Sequence, residues 1–381
     1  MNNSKTSELT RNALPGILGI EAYSPGMPID ELQRKLGLAD VIKLASNENP
    51  LGASPRVRQA LAEQMLKQNL ALYPDGSGYR LKQKIAAYHQ IDPSCITLGN
   101  GSNDLLEFLA RIYAGPGRAV MFSDYAFAVY SLATQAQDAD AVLVPAYPAN
   151  HAMPYGHDLK AFSKMLGQRP DVSLIFIANP NNPTGTWNTP EEIETFLESV
   201  PPQVIVVLDE AYWDYQDPGL RPDARPWLDR FPNLVVTRTF SKIYGLASLR
   251  VGYSLSHPTV ADLLNRVRQP FNNNSLALLA GELALEDQDF VRDSVELNTR
   301  ERERLIREVE GMGLSVLPTQ ANFVSIGFGR DAKPIHQALL ERGIIVRPMG
   351  SYALPEYVRV TVGSVDENTR FLGALKEILA A

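Results

Sequence analysis

From Leu174 to Tyr212 the chain runs LIFIANPNNPTGTWNTPEEIETFLESVPPQVIVVLDEAY, and this stretch decides the fold. Leu174-Ile-Phe-Ile-Ala178 has no polar alternation, so it predicts a strand covered on both faces. Pro190 to Ser199 opens on a proline followed by two glutamates and carries apolar residues at helical spacing, which predicts a helix. Val204-Ile-Val-Val-Leu208 is a second buried strand. Strand, helix, strand within this length is a parallel βαβ unit. Working outward, Ala119-Val-Met-Phe122 and Leu234-Val-Val-Thr237 predict further buried strands, and Leu105 to Ile112 a helix. The chain therefore predicts an α/β fold with a mainly parallel sheet covered by helices across roughly residues 50 to 265.

After Pro270 the pattern changes. A charged helical stretch from Glu282 to Glu310 precedes short strands at Ser315–Leu317, Phe323–Ile326, Ile344–Val346 and Val358–Thr361. These predict a smaller α+β domain. The division expected is an N-terminal segment over 1–50 joining the small domain, a large ligand-binding domain over 51–268, and a small domain over 269–381. Ala146 to Gly156, with Pro145, Pro148 and Pro154 close together, predicts a surface excursion.

With 45% hydrophobic residues in 381, the chain can bury a large core. A formal charge of −7, with Lys and Arg spread along the length, leaves no basic footprint for nucleic acid or an anionic membrane. One cysteine, Cys95, excludes an internal disulfide and a cysteine-rich metal site, so a reducing, cytoplasmic setting is expected. Five scattered histidines offer no pair spaced for one helix face, and no metal is expected. Met1 to Arg11 lacks the apolar run of a secretory signal.

Ligands of open α/β sheets sit beyond the carboxyl ends of the strands, and three clusters take that place here. They are Asn179-Pro-Asn-Asn-Pro-Thr-Gly185, Asp209-Glu-Ala-Tyr212 and Thr239-Phe-Ser-Lys242. Singly, each has a plain structural explanation: a turn, a helix start, a surface lysine. Together they supply what an aromatic phosphate aldehyde such as pyridoxal 5'-phosphate requires. A desolvated lysine, Lys242, forms the imine. A carboxylate, Asp209, keeps the pyridine nitrogen protonated. Tyr212 and Asn182 offer donors to the ring oxygen. Gly99-Asn-Gly-Ser-Asn-Asp104, between a short strand at Ile96–Leu98 and a helix, aims the backbone N–H groups of Ser102 and Asn103 at an anion, with Ser102 capping the helix. Ser241 and Arg250 complete a phosphate clamp. The loop lacks the third glycine of a dinucleotide fingerprint, which argues against a nicotinamide oxidoreductase. Ser163-Lys164 lies mid-helix and is read as solvated.

Ser241-Lys242-x-x-Gly245-Leu-Ala-x-Leu-Arg250-x-Gly252-Tyr253, with the two upstream clusters, resembles the fold-type I PLP-dependent aminotransferases. Leu44 to Gly52, Tyr73-Pro-Asp-Gly, Tyr125 to Tyr130, Gly156-His-Asp-Leu159, Ile345 to Met349 and Arg359 to Gly363 are similar to the branch of that family acting on histidinol phosphate, from about Gly19 onward. The resemblance implies a sheet of the seven-stranded type and assigns Lys242 as the imine lysine, Asp209 as the pyridinium partner, and Asn182 and Tyr212 as ring-oxygen ligands. Phe127 would stack on the ring. Ser102, Asn103, Ser241 and Arg250 would hold the phosphate, with Tyr73 reaching it across the interface of a homodimer.

The same resemblance aims Arg359 at a substrate carboxylate and Arg347 at a substrate phosphate, with Asn182 beside them and with Tyr23 either closing over them or anchoring the turn at Ser24-Pro25-Gly26. The reaction implied is transamination between glutamate/2-oxoglutarate and imidazole acetol phosphate/histidinol phosphate, in histidine biosynthesis, with Lys242 moving the proton. An aromatic amino-acid aminotransferase or a phosphoamino-acid decarboxylase would share every cofactor residue, and a PLP-binding regulatory protein would share the fold. Two departures from the pattern, Ala146–Gly156 and Phe271-Asn-Asn-Asn-Ser275, lie where they are expected to bear on the pocket.

Overall fold

The computed structural model describes residues 8–21 and 26–380. Helix α1 (Pro15–Leu18) is followed by α2 (Ile29–Leu36), strand β1 (Ile42–Lys43), α3 (Pro55–Lys67), α4 (Tyr79–His89), β2 (Ile96–Gly99) and α5 (Ser102–Tyr113). Strand β3 (Ala119–Ser123), α6 (Ala128–Ala136), β4 (Asp140–Val144), α7 (Leu159–Leu166), β5 (Val172–Ala178), α8 (Pro190–Ser199), β6 (Ile205–Asp209), α9 (Ala224–Arg230), β7 (Leu234–Thr239) and β8 (Gly252–Ser256) continue the large domain. The large sheet has seven strands in the order β2-β8-β7-β6-β5-β3-β4. All neighbours run parallel except β8, which is antiparallel to both β7 and β2. Strands β4 and β8 escape the buried-run pattern. The first alternates between exposed and buried positions, and the second is interrupted by small and polar residues despite full burial.

Strands β3, β5, β6 and β7 are buried at nearly every position. Their two faces feed two apolar layers, one around Phe162, Phe196 and Phe240, the other around Phe108, Tyr130 and Phe176. Helix α8 starts at the predicted Pro190 because Thr189 and Glu192 form a reciprocal capping box.

Beyond α10 (Pro258–Val267), the predicted helix from Glu282 to Glu310 is two helices, α11 (Ser275–Glu286) and α12 (Gln288–Gly311). The break is at Asp287, whose carboxylate caps α12 through Phe290 N–H and also accepts from Ser54. Ala277, Leu278, Ala280 and Leu285 of α11 belong to the large-domain core. The boundary expected at residue 268 thus precedes a helix that packs on α3 and α4. We propose that the domains divide inside α12, whose Leu305 and Val309 enter the small-domain core.

The small domain adds β9 (Ser315–Val316), β10 (Phe323–Gly327), α13 (Lys333–Glu341), β11 (Ile344–Ile345), β12 (Arg347–Pro348), β13 (Tyr357–Thr361) and α14 (Val365–Ala380). Its antiparallel sheet has the order β12-β13-β10-β9, and β1 pairs with β11. The N-terminal segment does not join the small domain alone. Gly16 N–H of α1 donates to Asp138 of the large domain at 2.7 Å, whereas Leu32 of α2 packs with Leu340 and Ile345.

Candidate active site

Strands β5, β6 and β7 end side by side at Ala178, Asp209 and Thr239, and one cleft of about 270 Å³ opens where they stop. Asp209 lines it. Its carboxylate accepts from Tyr130 Oη at 2.9 Å and Thr237 Oγ1 at 3.2 Å. Tyr130 is fully buried, its ring stacked 4.6 Å from that of Phe176. Burial pushes the Asp209 carboxyl up, and the two donors act against it. Glu210 turns to the other side. It pairs with Arg238 at 2.7 Å, and Arg238 lies 3.7 Å above the Trp213 ring. Burial raises Glu210 to about 7 despite that partner. Of the Asp-Glu pair, then, one carboxylate faces the cleft and the other supports the fold.

Lys242 follows β7 in a turn closed by Gly245 N–H to its carbonyl at 3.0 Å. Gly245 has φ +65°, and a Cβ there would lie 1.9 Å from the Gly52 carbonyl oxygen, so no other residue fits. The Lys242 amine donates to Ser46 O at 3.1 Å. Burial, then the Arg359 guanidinium, lowers its pKa to about 8, so a sizeable fraction is the neutral nucleophile near neutrality. Tyr212 accepts at Oη from Asn47 Nδ2 at 2.8 Å. Asn182 Oδ1 accepts from Arg359, which turns its NH2 donor away from the arginine.

At the other end, Gly101 with φ +83° takes the cap position of α5. Ser102 is the first helical residue and makes no side-chain cap, because its hydroxyl cannot reach forward to N–H groups that follow its own turn. The Asp104 carboxylate instead takes Asn100 N–H at 2.8 Å. The N–H groups of Ser102 and Asn103 are helix-start donors at the cleft. The Arg250 guanidinium lies across Gly101, where a Cβ would be 2.4 Å from Nη2. It also donates weakly to Ser241 Oγ at 3.4 Å. This donor set, at the opposite end of the cleft from a buried carboxylate and with a buried amine between them, fits a phosphorylated pyridine aldehyde.

Arg347 and Arg359 are register partners across β12 and β13, so two guanidiniums stand side by side at the cleft, a placement that sequence spacing does not reveal. Phe127 lines the cleft as expected. Tyr73 does not line it within this chain. It is 81% exposed and stacks on Phe271 at 4.6 Å. Tyr23 lies outside the described residues. Ser163, mid-α7, bonds Leu159 O and Ser199, away from the cleft.

The two sequence departures behave differently. The excursion folds back through Tyr147 N–H to Gly156 O and lines no part of the cleft, and its Tyr155 packs edge-on to Tyr125 and to Tyr357 of the small domain. The asparagines after Phe271 brace the Gly99–Asp104 loop instead: Asn272 donates to Asp104 and Asn273 to Gly99 O. Sequence reasoning missed Tyr130, Thr237, Asn47 and Tyr352. Tyr130, one helical turn beyond Phe127, and Asn47 lie inside the strings Tyr125–Tyr130 and Leu44–Gly52, and Thr237 ends a predicted strand, whereas Tyr352 carried no signal.

Residues 39–375 match the family described as aminotransferase class I and II. The chain belongs to that family. Its relatives include histidinol-phosphate aminotransferase 2 of Pseudomonas fluorescens, 50% identical over 370 residues and covering 97% of each chain. Histidinol-phosphate aminotransferase 1 of Thiobacillus denitrificans is 50% identical over 371 residues, 97% of this chain and 94% of that one. Among solved structures, the histidinol-phosphate aminotransferase of Sinorhizobium meliloti in complex with pyridoxal-5'-phosphate superposes with a TM-score of 0.88 at 28% identity, over 97% of this chain and 98% of that one.

Proposed function

We propose that this chain is a PLP-dependent aminotransferase that moves an amino group between glutamate/2-oxoglutarate and imidazole acetol phosphate/histidinol phosphate, in histidine biosynthesis. The observation that carries it is the convergence on one cleft of Lys242, Asp209, Tyr212, Asn182 and the anion-binding start of α5, faced by Arg347 and Arg359. Bound there, pyridoxal 5'-phosphate supplies an electron sink for the carbanion formed at the amino-acid Cα. Ser102, Asn103, Ser241 and Arg250 would hold its phosphate, and Phe127 would cover a ring face. Asp209 would keep the ring nitrogen protonated, and Asn182 and Tyr212 would bind the ring oxygen. The amine of Lys242 would take the proton from the substrate Cα and return it two atoms along, at the cofactor's aldehyde carbon, a task suited to a group titrating at about 8. Arg359 binds the substrate carboxylate and Arg347 the distal phosphate, for which a planar guanidinium is suited.

The test is chemical. Purified protein given the cofactor should absorb in the visible, and hydride reduction should fix the label on Lys242. Lys242→Ala should lose turnover while still holding cofactor non-covalently. Normal transamination by that variant would end the assignment. A substrate panel should give histidinol phosphate a kcat/KM more than tenfold above phenylalanine and tyrosine, about 1.4 kcal/mol at the transition state. The reverse order would favour the aromatic reading.

The chain acts as a homodimer in the cytoplasm. Leu66, Leu70, Leu72 and Tyr73 are 90, 70, 67 and 81% exposed in one stretch, apolar surface that a second copy would cover. Tyr73 would then reach the partner's phosphate site. Mixing inactive Lys242→Ala with Tyr73→Phe should restore activity in hybrid dimers, and no restoration would separate the sites. No helix among the described residues is long and apolar enough to cross a membrane.

A further inference from the structure

Tyr212 is assigned above to the cofactor ring oxygen, and a hydroxyl there is useful only if its proton points into the cleft. The surroundings decide where that proton goes. Asn47, 1% exposed and left-handed at φ +55°, sits beneath the hydroxyl. Its backbone N–H donates to Thr361 Oγ1 at 2.9 Å, and Thr361 Oγ1 donates back to Asn47 Oδ1 at 3.2 Å. The amide is thereby oriented. Were it turned over, the buried Thr361 hydroxyl would face two donors and lose its acceptor. So oriented, Nδ2 donates to Tyr212 Oη at 2.8 Å, and among the described residues this is the one hydrogen bond of that oxygen. A hydroxyl accepting from an amide keeps its own proton for another partner. Asn322 of the small domain holds the Asn47 carbonyl at 3.0 Å, and Thr361 is on β13, two residues from Arg359.

We propose that Asn47 is a positioning residue, locked by Thr361, that makes the Tyr212 hydroxyl an obligate donor to the ligand in the cleft. This rests on the reading of Tyr212 as a ring-oxygen ligand. The directional series runs from the small domain to the reacting centre, so the seating of β13 sets the polarity of a group on the large domain. The other titratable groups facing Tyr212 are Asp209 on β6, the buried Tyr130 and Tyr215, Arg359 and Tyr352 from the small domain, and the Lys242 amine 5.7 Å from the ring centre. None of these acts through the Asn47 bond.

The measurement is the pH midpoint of the visible absorbance of the lysine-linked cofactor, together with turnover. A donor to the ring oxygen favours its deprotonated form and holds the midpoint low. Asn47→Asp keeps the shape and the bond to Thr361 but accepts the Tyr212 proton instead of donating to its oxygen. It should raise the midpoint by about one pH unit, a tenfold change in proton affinity, as Tyr212→Phe also should. In the Tyr212→Phe background the added Asn47→Asp shift should fall to less than half. A full shift in that background would mean that the new charge acts at a distance and would overturn the proposal. So would an unmoved midpoint in Asn47→Asp. An unmoved midpoint in Tyr212→Phe would remove the ring-oxygen reading itself. Should Asn47→Asp not fold, Thr361→Val frees the amide to turn and should raise the midpoint by a smaller amount; an unchanged value there overturns the orientation argument.

Discussion

The two ends of the cleft are built in different ways. At the Asp209 end, the carboxylate is buried, accepts from two protein hydroxyls, and leans on a Tyr130 ring wedged against Phe176 in the core. At the other end, the donors are the first N–H groups of α5 and an exposed Arg250, itself left-handed at φ +56°, donating to Ala247 O at 3.1 Å and to Ser241 at only 3.4 Å. One end is finished before any ligand arrives. The other is a set of donors that an anion would draw together. A buried, pre-bonded carboxylate suits a group whose protonation state must be held for chemistry, whereas exposed donors, one of them a cation, suit affinity.

Removing the finished end should therefore cost rate, and this is the largest effect expected. Asp209→Ala should lower kcat by about 10³-fold or more, about 4 kcal/mol, with cofactor still bound. A loss below tenfold would show that another group protonates the ring and would erase the contrast. Removing the open end should cost affinity. Arg250→Ala deletes charge-assisted bonds on the order of 1.5–3 kcal/mol, so the cofactor Kd should rise about 10- to 100-fold, with kcat at saturating cofactor within a few fold of wild type. Equilibrium dialysis and steady-state kinetics separate the two, and a kcat collapse in Arg250→Ala would mean that both ends serve the chemistry.

The same contrast governs what was legible in the chain. The finished end is made of strands buried on both faces, and their unbroken apolar runs announce both the sheet and the residues that follow each strand. Asp209, Tyr212, Asn182 and Lys242 were found that way. Strand β8 was hidden because Gly252 and two buried serines replace the apolar run, the glycine being required where a Cβ would lie 2.7 Å from Ser102 N. The break between α11 and α12 was hidden because Asp287 caps without a glycine or proline to mark it. The pairing of Arg347 with Arg359, the donors on Asp209 and the Asn47 bond to Tyr212 join residues 12 to 165 positions apart, and no periodicity encodes them.

The smallest effect expected concerns Lys242 before cofactor binds, and it asks whether burial at the finished end has an energetic cost. The folded amine titrates at about 8 and the ordinary value is 10.5. Below pH 8 both folded and unfolded chains carry the proton, so the full penalty of burying the charge is present. Between 8 and 10.5 the unfolded chain binds more protons than the folded one, so stability rises with pH, and above 10.5 the penalty is gone. In cofactor-free protein, Lys242→Met should therefore melt above wild type at pH 7, and the gap should close as pH approaches 10.5. Groups other than Lys242 titrate in both proteins and cancel in the difference. A gap constant across that range would mean that the amine is as well solvated in the cleft as in the unfolded chain, and that the lysine is activated by the cofactor alone and not by its burial.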